Sequence, residues 1–319
     1  MYGSARGRRN SSRSRRTRRA QRIQRKNNME RLTDVNMGIY TSFRTGGNAD
    51  CMLIPDTPEE LAEALREIRR SGSPFVMLGN GSNTLFREGG FHGTVLKLGP
   101  SFGEIRREGN ELVVGAAALM SQAANAALEA GLAGFENLSG IPGSLGGAVF
   151  MDAGAYGSEM KDVTVSADVV TADGDALRTV PVEEMDLSYR HSIFEETGDI
   201  VTSVRIRLTP DDPEKIRRRM KEMLEKRSSK QPLQYPSAGS FFKRPAGHFA
   251  GKLIQDAGLR GARVGGAQVS EKHCGFVINR GGATPRDIID LMHLVQNTVF
   301  DQTGILLEPE VRIIGGPEE

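Results

Sequence analysis

Apolar and polar positions along the chain fall into helical and strand periods from about residue 57 onward. Thr57-Pro58-Glu59-Glu60 reads as a helix start, with a capping Thr, Pro at the first helical position and Glu after it. Leu61, Leu65 and Ile68 then repeat at helical spacing. The apolar run at 74–78 leads into Gly79 and predicts a buried strand, and further strands are predicted near 94–98, 111–115, 163–171 and 200–209. Between them an Ala-rich helix is predicted over 121–130, ending at Gly131. Residues 211–231 predict a charged helix that bridges two units, its basic face turned to solvent. Residues 232–319 predict a smaller α/β unit. In it, Thr284-Pro285-Arg286-Asp287 caps a helix carrying Ile288, Ile289, Leu291, Met292, Val295 and Val299. Residues 1–30 hold Arg, Ser and Asn with almost nothing apolar to bury, so order is expected from near Asn36.

A length of 319 residues implies two or three domains, and 38% hydrophobic with 26% charged residues places the chain among globular proteins. The net charge of +2 conceals an asymmetry. Residues 1–31 carry twelve Arg or Lys and one Glu, a net +11, which leaves −9 for the rest. The body is therefore acidic, and nucleic-acid binding is not expected of it. For the basic tail three readings stand: an organellar transit peptide, a nucleic-acid-binding arm, or an extension upstream of a start at Met29. The third is adopted, because the recognisable body begins just after Met29. Cys51 and Cys274 are far apart and without a CxxC partner, which argues against a disulfide framework or zinc site and fits a reducing cytoplasm. The five His residues form no metal-binding pattern, so no metal is expected, and His92, His248, His273 and His293 read as structural or solvated. No run of 18 apolar residues is present, so no membrane association is expected.

Two glycine-dense loops carry the candidate chemistry. Gly79-Asn80-Gly81-Ser82-Asn83-Thr84 follows a predicted strand, and its glycines let successive N–H groups turn toward one anion, with a diphosphate the natural occupant. It is not a P-loop, and Thr84 stands where a dinucleotide fingerprint has its third glycine. The second runs from Gly140 through Gly143, Ser144, Gly146 and Gly147 to Ala153, Gly154, Tyr156 and Gly157. Two such loops favour a cofactor over two ordinary turns. Tyr156 reads equally as a ligand contact or a packed aromatic. Arg190, in SYRHS at 188–192, reads as a surface charge or a bidentate carboxylate clamp. Lys243 and Arg244, in AGSFFKRP at 238–245, suit a diphosphate. Ser240 lacks a nucleophile elbow. Alternation around Glu310 predicts a strand, and spacing alone leaves that Glu exposed.

Taken together, these strings resemble the UDP-N-acetylenolpyruvoylglucosamine reductase family. They are YTSFRTGG at 40–47, GNGSNTL at 79–85, GIPGSLGGAVFMDAGAYG at 140–157, SYRHS at 188–192, AGSFFKRP at 238–245 and EPEVRIIG at 308–315. The resemblance covers about residues 36–316 and points to the family's shorter branch, which lacks an extra Tyr-bearing loop. It implies an α+β fold, with an FAD-binding domain of the vanillyl-alcohol-oxidase type in two subdomains over 31–211. A smaller C-terminal α/β substrate domain is implied over 212–319. It further implies non-covalent FAD, held by Arg44, the 79–84 loop, Gly140, Gly143, Ser144, Gly146, Gly147, Ala153 and Gly154. NADPH is the implied reductant. The implied reaction reduces the enolpyruvyl group of a UDP-sugar in cell-wall synthesis, in a cytoplasmic, monomeric enzyme. Arg190 is implied to hold the substrate carboxylate and steady the enolate, Ser240 to protonate carbon and Glu310 to assist. Tyr189, Lys243 and Arg244 are implied to contact substrate. The alternative is another FAD-dependent oxidase or dehydrogenase of the same fold.

Overall fold

The structure, a computed structural model, describes residues 24–26 and 29–316. Most of the basic tail lies outside the described residues. Order begins earlier than Asn36: strand Met29–Asn36 buries its three apolar residues, Met29, Leu32 and Val35, so it belongs to the core. Gln24–Lys26 pairs antiparallel with it, so the expected disorder of 1–30 does not extend to those three residues.

The first sheet has strand order Gln24–Lys26, Met29–Asn36, Asn48–Ile54, Phe91–Leu96, Phe75–Met77. The last three run parallel, which requires a crossover, and helix Pro58–Ser71 provides one. Thr57 caps that helix by accepting from the Glu60 N–H, and Leu61, Ala64, Leu65 and Ile68 form its buried stripe. The strand expected to be buried at 74–78 is instead the sheet's edge. Phe75 is 38% exposed, because no further strand covers that side.

The second sheet is antiparallel throughout, in the order Leu177–Pro181, Thr164–Val170, Ile200–Arg207, Glu111–Gly115, Ile105–Glu108. Helices Met120–Glu129 and Leu145–Phe150 pack on it, and one large core joins them to Pro58–Ser71 of the first unit. Helix Pro213–Lys230 follows, capped by Asp212. Its basic face is not wholly in solvent. Arg219 bonds Glu136 and Asp211, and Arg227 lies against Gly140.

The third sheet is antiparallel, in the order Ser237–Ser240, Phe276–Asn279, Ala267–Val269, Arg263–Val264, with Ala250–Asp256 and Pro285–Thr303 packed beside it. Arg312–Ile314 returns to the first unit and pairs parallel with Thr84–Phe86. Phe43 and Leu85 of the first unit join the C-terminal core, where Phe241 meets Phe43 edge-on at 6.2 Å and Phe242 at 5.2 Å.

Phe241 is thus an aromatic rivet between units, and it is 1% exposed. Phe241→Ala is expected to cost about 3–5 kcal/mol. Urea unfolding checks this: the midpoint should fall, and an unchanged midpoint would show that the two units do not depend on this contact.

Candidate active site

The two glycine loops touch each other. Gly81 sits at φ +65°, and a Cβ there would lie 2.0 Å from the Tyr40 carbonyl oxygen, so only glycine fits. The Gly81 carbonyl in turn accepts from the Ser42 N–H at 3.0 Å. Asn80 Nδ2 donates to the Pro142 carbonyl at 2.5 Å, and a Cβ at Gly79 would meet Ser144 Oγ at 2.6 Å. The loops therefore form one clasp. Gly146 brings helix Leu145–Phe150 against Ala116, where a Cβ would have only 2.8 Å. Ser82 faces Gly143 across the clasp, Thr84 opens the strand that pairs with Arg312, and Ala153 is buried under the second loop. Gly140 and Gly147 complete that loop's backbone, Gly140 beside the Arg227 side chain. Arg44 is exposed at φ +56° near Thr41, and no described contact joins it to the clasp.

Beside the clasp opens a cavity of about 740 Å³. Gly154, Tyr156, Tyr189, Arg190, Ser240 and Glu310 are among the residues that line it. Arg190 stands in a two-residue turn closed by the Ser188–His191 bridge, at φ +60°, a conformation that bulky residues rarely adopt. Ser192 is fully buried and donates from Oγ to the Phe150 carbonyl at 2.6 Å, which ties this turn to the end of helix Leu145–Phe150. Arg190 Nε donates to Glu310 Oε1 at 2.8 Å, and its guanidinium lies 5.0 Å over the Tyr189 ring. Both partners are largely buried, with side chains 18% and 10% exposed. Neither is therefore the surface charge that spacing alone allowed. Glu310 is not within a strand either. It lies between the Phe242–Pro309 bridge and strand Arg312–Ile314, its N–H donating to the Phe241 carbonyl at 2.8 Å. Burial pushes its carboxyl pKa up, although Arg190 pulls the other way.

Ser240 closes strand Ser237–Ser240, where a register shift and Gly239 at φ +77° turn the hydroxyl outward into the open cavity. Arg244 lines the cavity, its guanidinium 4.6 Å over Phe249 and its N–H donating to Tyr189 Oη at 3.0 Å. Lys243 is not on that wall and pairs with Glu308 at 3.7 Å. Tyr156 is 42% exposed and lines the cavity.

Sequence reasoning missed several groups. Arg260 and Lys272 add positive charge to the wall. His273 lines the cavity half-buried, its Nδ1 accepting from the Gly275 N–H at 3.1 Å, and burial lowers its pKa. Arg227 is half-buried beside Gly140 with no acidic partner among the described residues. It is one of eight cations on its helix, so the pattern carried no signal.

The clasp suits a large anionic cofactor. Its glycines allow close approach, and the buried Asn83 Oδ1, whose amide nitrogen donates to the Glu310 carbonyl, has no partner of its own. Residues 49–180 match the family model described as FAD binding domain. The chain is an FAD-dependent oxidoreductase.

Residues 231–314 match the C-terminal domain model of UDP-N-acetylenolpyruvoylglucosamine reductase. Reductases of that name from Agathobacter rectalis and Pediococcus pentosaceus are 49% and 48% identical. The alignments span 89% and 86% of this chain and 94% and 91% of the relatives. The crystal structure of the Thermus caldophilus reductase superposes with a TM-score of 0.78 at 35% identity, covering 93% of this chain and all of that one. The chain belongs to the UDP-N-acetylenolpyruvoylglucosamine reductase family, whose work is peptidoglycan synthesis.

Gly81→Ala places a Cβ against backbone in a left-handed conformation, which costs about 1–3 kcal/mol before any clash is counted. The purified variant is expected to melt lower and to carry less FAD. A wild-type melting temperature with full flavin would show that the clasp does not need this contact.

Glu310 also leaves a mark on stability against pH. Its folded pKa lies above the unfolded value, so its contribution is fully present below the ordinary carboxylate range and is lost as pH rises through the raised pKa. Glu310→Gln keeps an acceptor for Arg190 but cannot titrate. Thermal melts across pH 4–8 should show the variant gaining on wild type as pH rises, and parallel curves would contradict the assignment.

Proposed function

We propose that this chain uses NADPH to reduce the enolpyruvyl double bond of UDP-N-acetylglucosamine enolpyruvate, giving UDP-N-acetylmuramate in the cytoplasm. The observation that carries the reading is the buried Arg190–Glu310 pair, which shares one cavity with Ser240 beside the glycine clasp. Bound FAD supplies the two-electron relay between the nicotinamide and the methylene carbon of the enolpyruvyl group.

The protein's own residues do the rest. The substrate carries a carboxylate next to the reacting double bond, so the enolate formed on hydride addition is doubly anionic. Arg190 is always charged, and its planar fork suits that carboxylate. Held by Glu310 and Tyr189, it is preorganised toward the charge that develops, and such a partner typically contributes ~10²–10³ in rate. Ser240 gives its hydroxyl proton to the enolate carbon, and solvent entering the open cavity restores it. Geometry matters here more than the resting acidity of a serine. Glu310, with its pKa raised by burial, is suited to carry a proton at the enolate oxygen. Tyr189 and Arg244, which line the cavity, are read as contacts of the nucleotide diphosphate, and Lys243, which pairs with Glu308, as a further one. In this reading residues 31–211 bind FAD non-covalently and residues 212–319 close over substrate.

Two half-reactions test the assignment. The purified flavoprotein is reduced anaerobically with NADPH and then mixed with UDP-N-acetylglucosamine enolpyruvate. Bleaching followed by stoichiometric recovery of the oxidised spectrum is expected, whereas recovery with oxygen alone would point to an oxidase. In Ser240→Ala the first step should stay within about twofold of wild type and the second should fall by roughly 10²-fold or more. Equal slowing of both steps would remove Ser240 from the proton-donor role.

A further inference from the structure

The glycine clasp contains a cation that the proposed mechanism does not use. Lys97 directly follows strand Phe91–Leu96, at the carboxyl end of its parallel pairing with Asn48–Ile54 and Phe75–Met77. Crevices at such strand ends are where parallel α/β units bind ligands. Two backbone bonds fix its place: Lys97 N–H donates to the Leu53 carbonyl at 3.0 Å, and the neighbouring Leu78 N–H to the Leu96 carbonyl at 2.8 Å. The side chain is half-buried, and Nζ donates to the Gly79 carbonyl at 2.9 Å, the first residue of the clasp. No carboxylate forms an ion pair with it among the described residues. Burial alone depresses its pKa, with no charged neighbour acting against the shift. A desolvated ammonium with a single neutral acceptor is costly, because buried charges are stable only when paired.

We propose that Lys97 is the fixed counter-charge for the diphosphate of bound FAD, set beneath the Gly79–Thr84 loop, and that it also positions that loop through Gly79. The proposal rests on the reading that this loop holds the diphosphate. The loop's own donors, backbone N–H groups and the side chains of Ser82 and Thr84, are neutral. Arg44 is exposed and makes no described contact there, and Arg227 stands at the other loop beside Gly140. Lys97 is thus the ammonium in contact with the phosphate-facing turn, and it acts on cofactor affinity rather than on the reacting atoms.

The test is release of FAD from the holoenzyme on dilution, read as recovered flavin fluorescence at low and at high salt. Lys97→Gln is expected to weaken retention roughly ten- to a hundredfold at low salt, the scale of one charge acting a few ångströms from a diphosphate. Its retention should depend less on salt than wild type, since a screened attraction has been removed. Lys97→Arg should restore most of both. A purely structural role would instead give a salt-independent loss that Arg does not repair, and wild-type retention in Lys97→Gln would overturn the proposal outright. Ser82→Asp separates this from the underlying reading. A carboxylate in the loop must repel a diphosphate, so unchanged retention in that variant would sink the loop assignment. Weakened retention there, with Lys97→Gln unaffected, would sink only Lys97.

Discussion

Glu310 is held by three separate parts of the chain, and the site exists because all three meet there. Its N–H bonds the Phe241 carbonyl of the C-terminal unit, its carbonyl accepts from Asn83 in the glycine clasp, and its carboxylate takes the Arg190 guanidinium from beside the second sheet. Strand Arg312–Ile314, two residues on, locks the arrangement by pairing with Thr84–Phe86. A change in how the units sit would break a backbone bond and a buried ion pair at once. Removing one partner of such a pair strands a charge and is strongly destabilising, by about 3–5 kcal/mol. The geometry of the site and the packing of the units are therefore one constraint. Glu310, Arg190 and the glycine clasp cannot drift independently.

The local parts of this design were legible in the sequence, and the long-range parts were not. Helix Pro58–Ser71 and helix Pro285–Thr303 announced themselves through Thr57 and Thr284, because a cap and its first turn lie within four residues. The clasp was legible as glycine density, since close approach of backbone leaves few other residues possible. Spacing left Arg190 between a surface charge and a clamp, and it made Glu310 a surface group. Their burial depends on a partner 120 residues away. Motif resemblance singled them out where periodicity could not. The edge position of Phe75 is a matter of strand order, which a single apolar run does not encode. The outward turn of Ser240 comes from a bulge at Gly239 that reads, in sequence, as one more small residue among several.

Charge ties these features together. Outside its basic first 31 residues the chain carries a net −9, yet its proposed ligands are diphosphates and carboxylates. An acidic surface repels them at long range, and screening over about 8 Å at physiological salt limits that repulsion to the approach. Affinity must then come from cations placed inside the screened region and kept from neutralisation by the protein's own acids. The described cations follow that pattern. Lys97 and Arg227 lie along the clasp without acidic partners, and Arg244 lies over Phe249 rather than on a carboxylate. Lys243, paired with Glu308, and Arg190 are the exceptions, and Arg190 is the informative one. Its partner, Glu310, has a pKa raised by burial, so in the proposed reading that pair can give up part of its attraction when a substrate carboxylate arrives. Cations left unpaired in the clasp are costly to bury, and in the proposed reading that same deficit becomes binding energy when the diphosphate fills it.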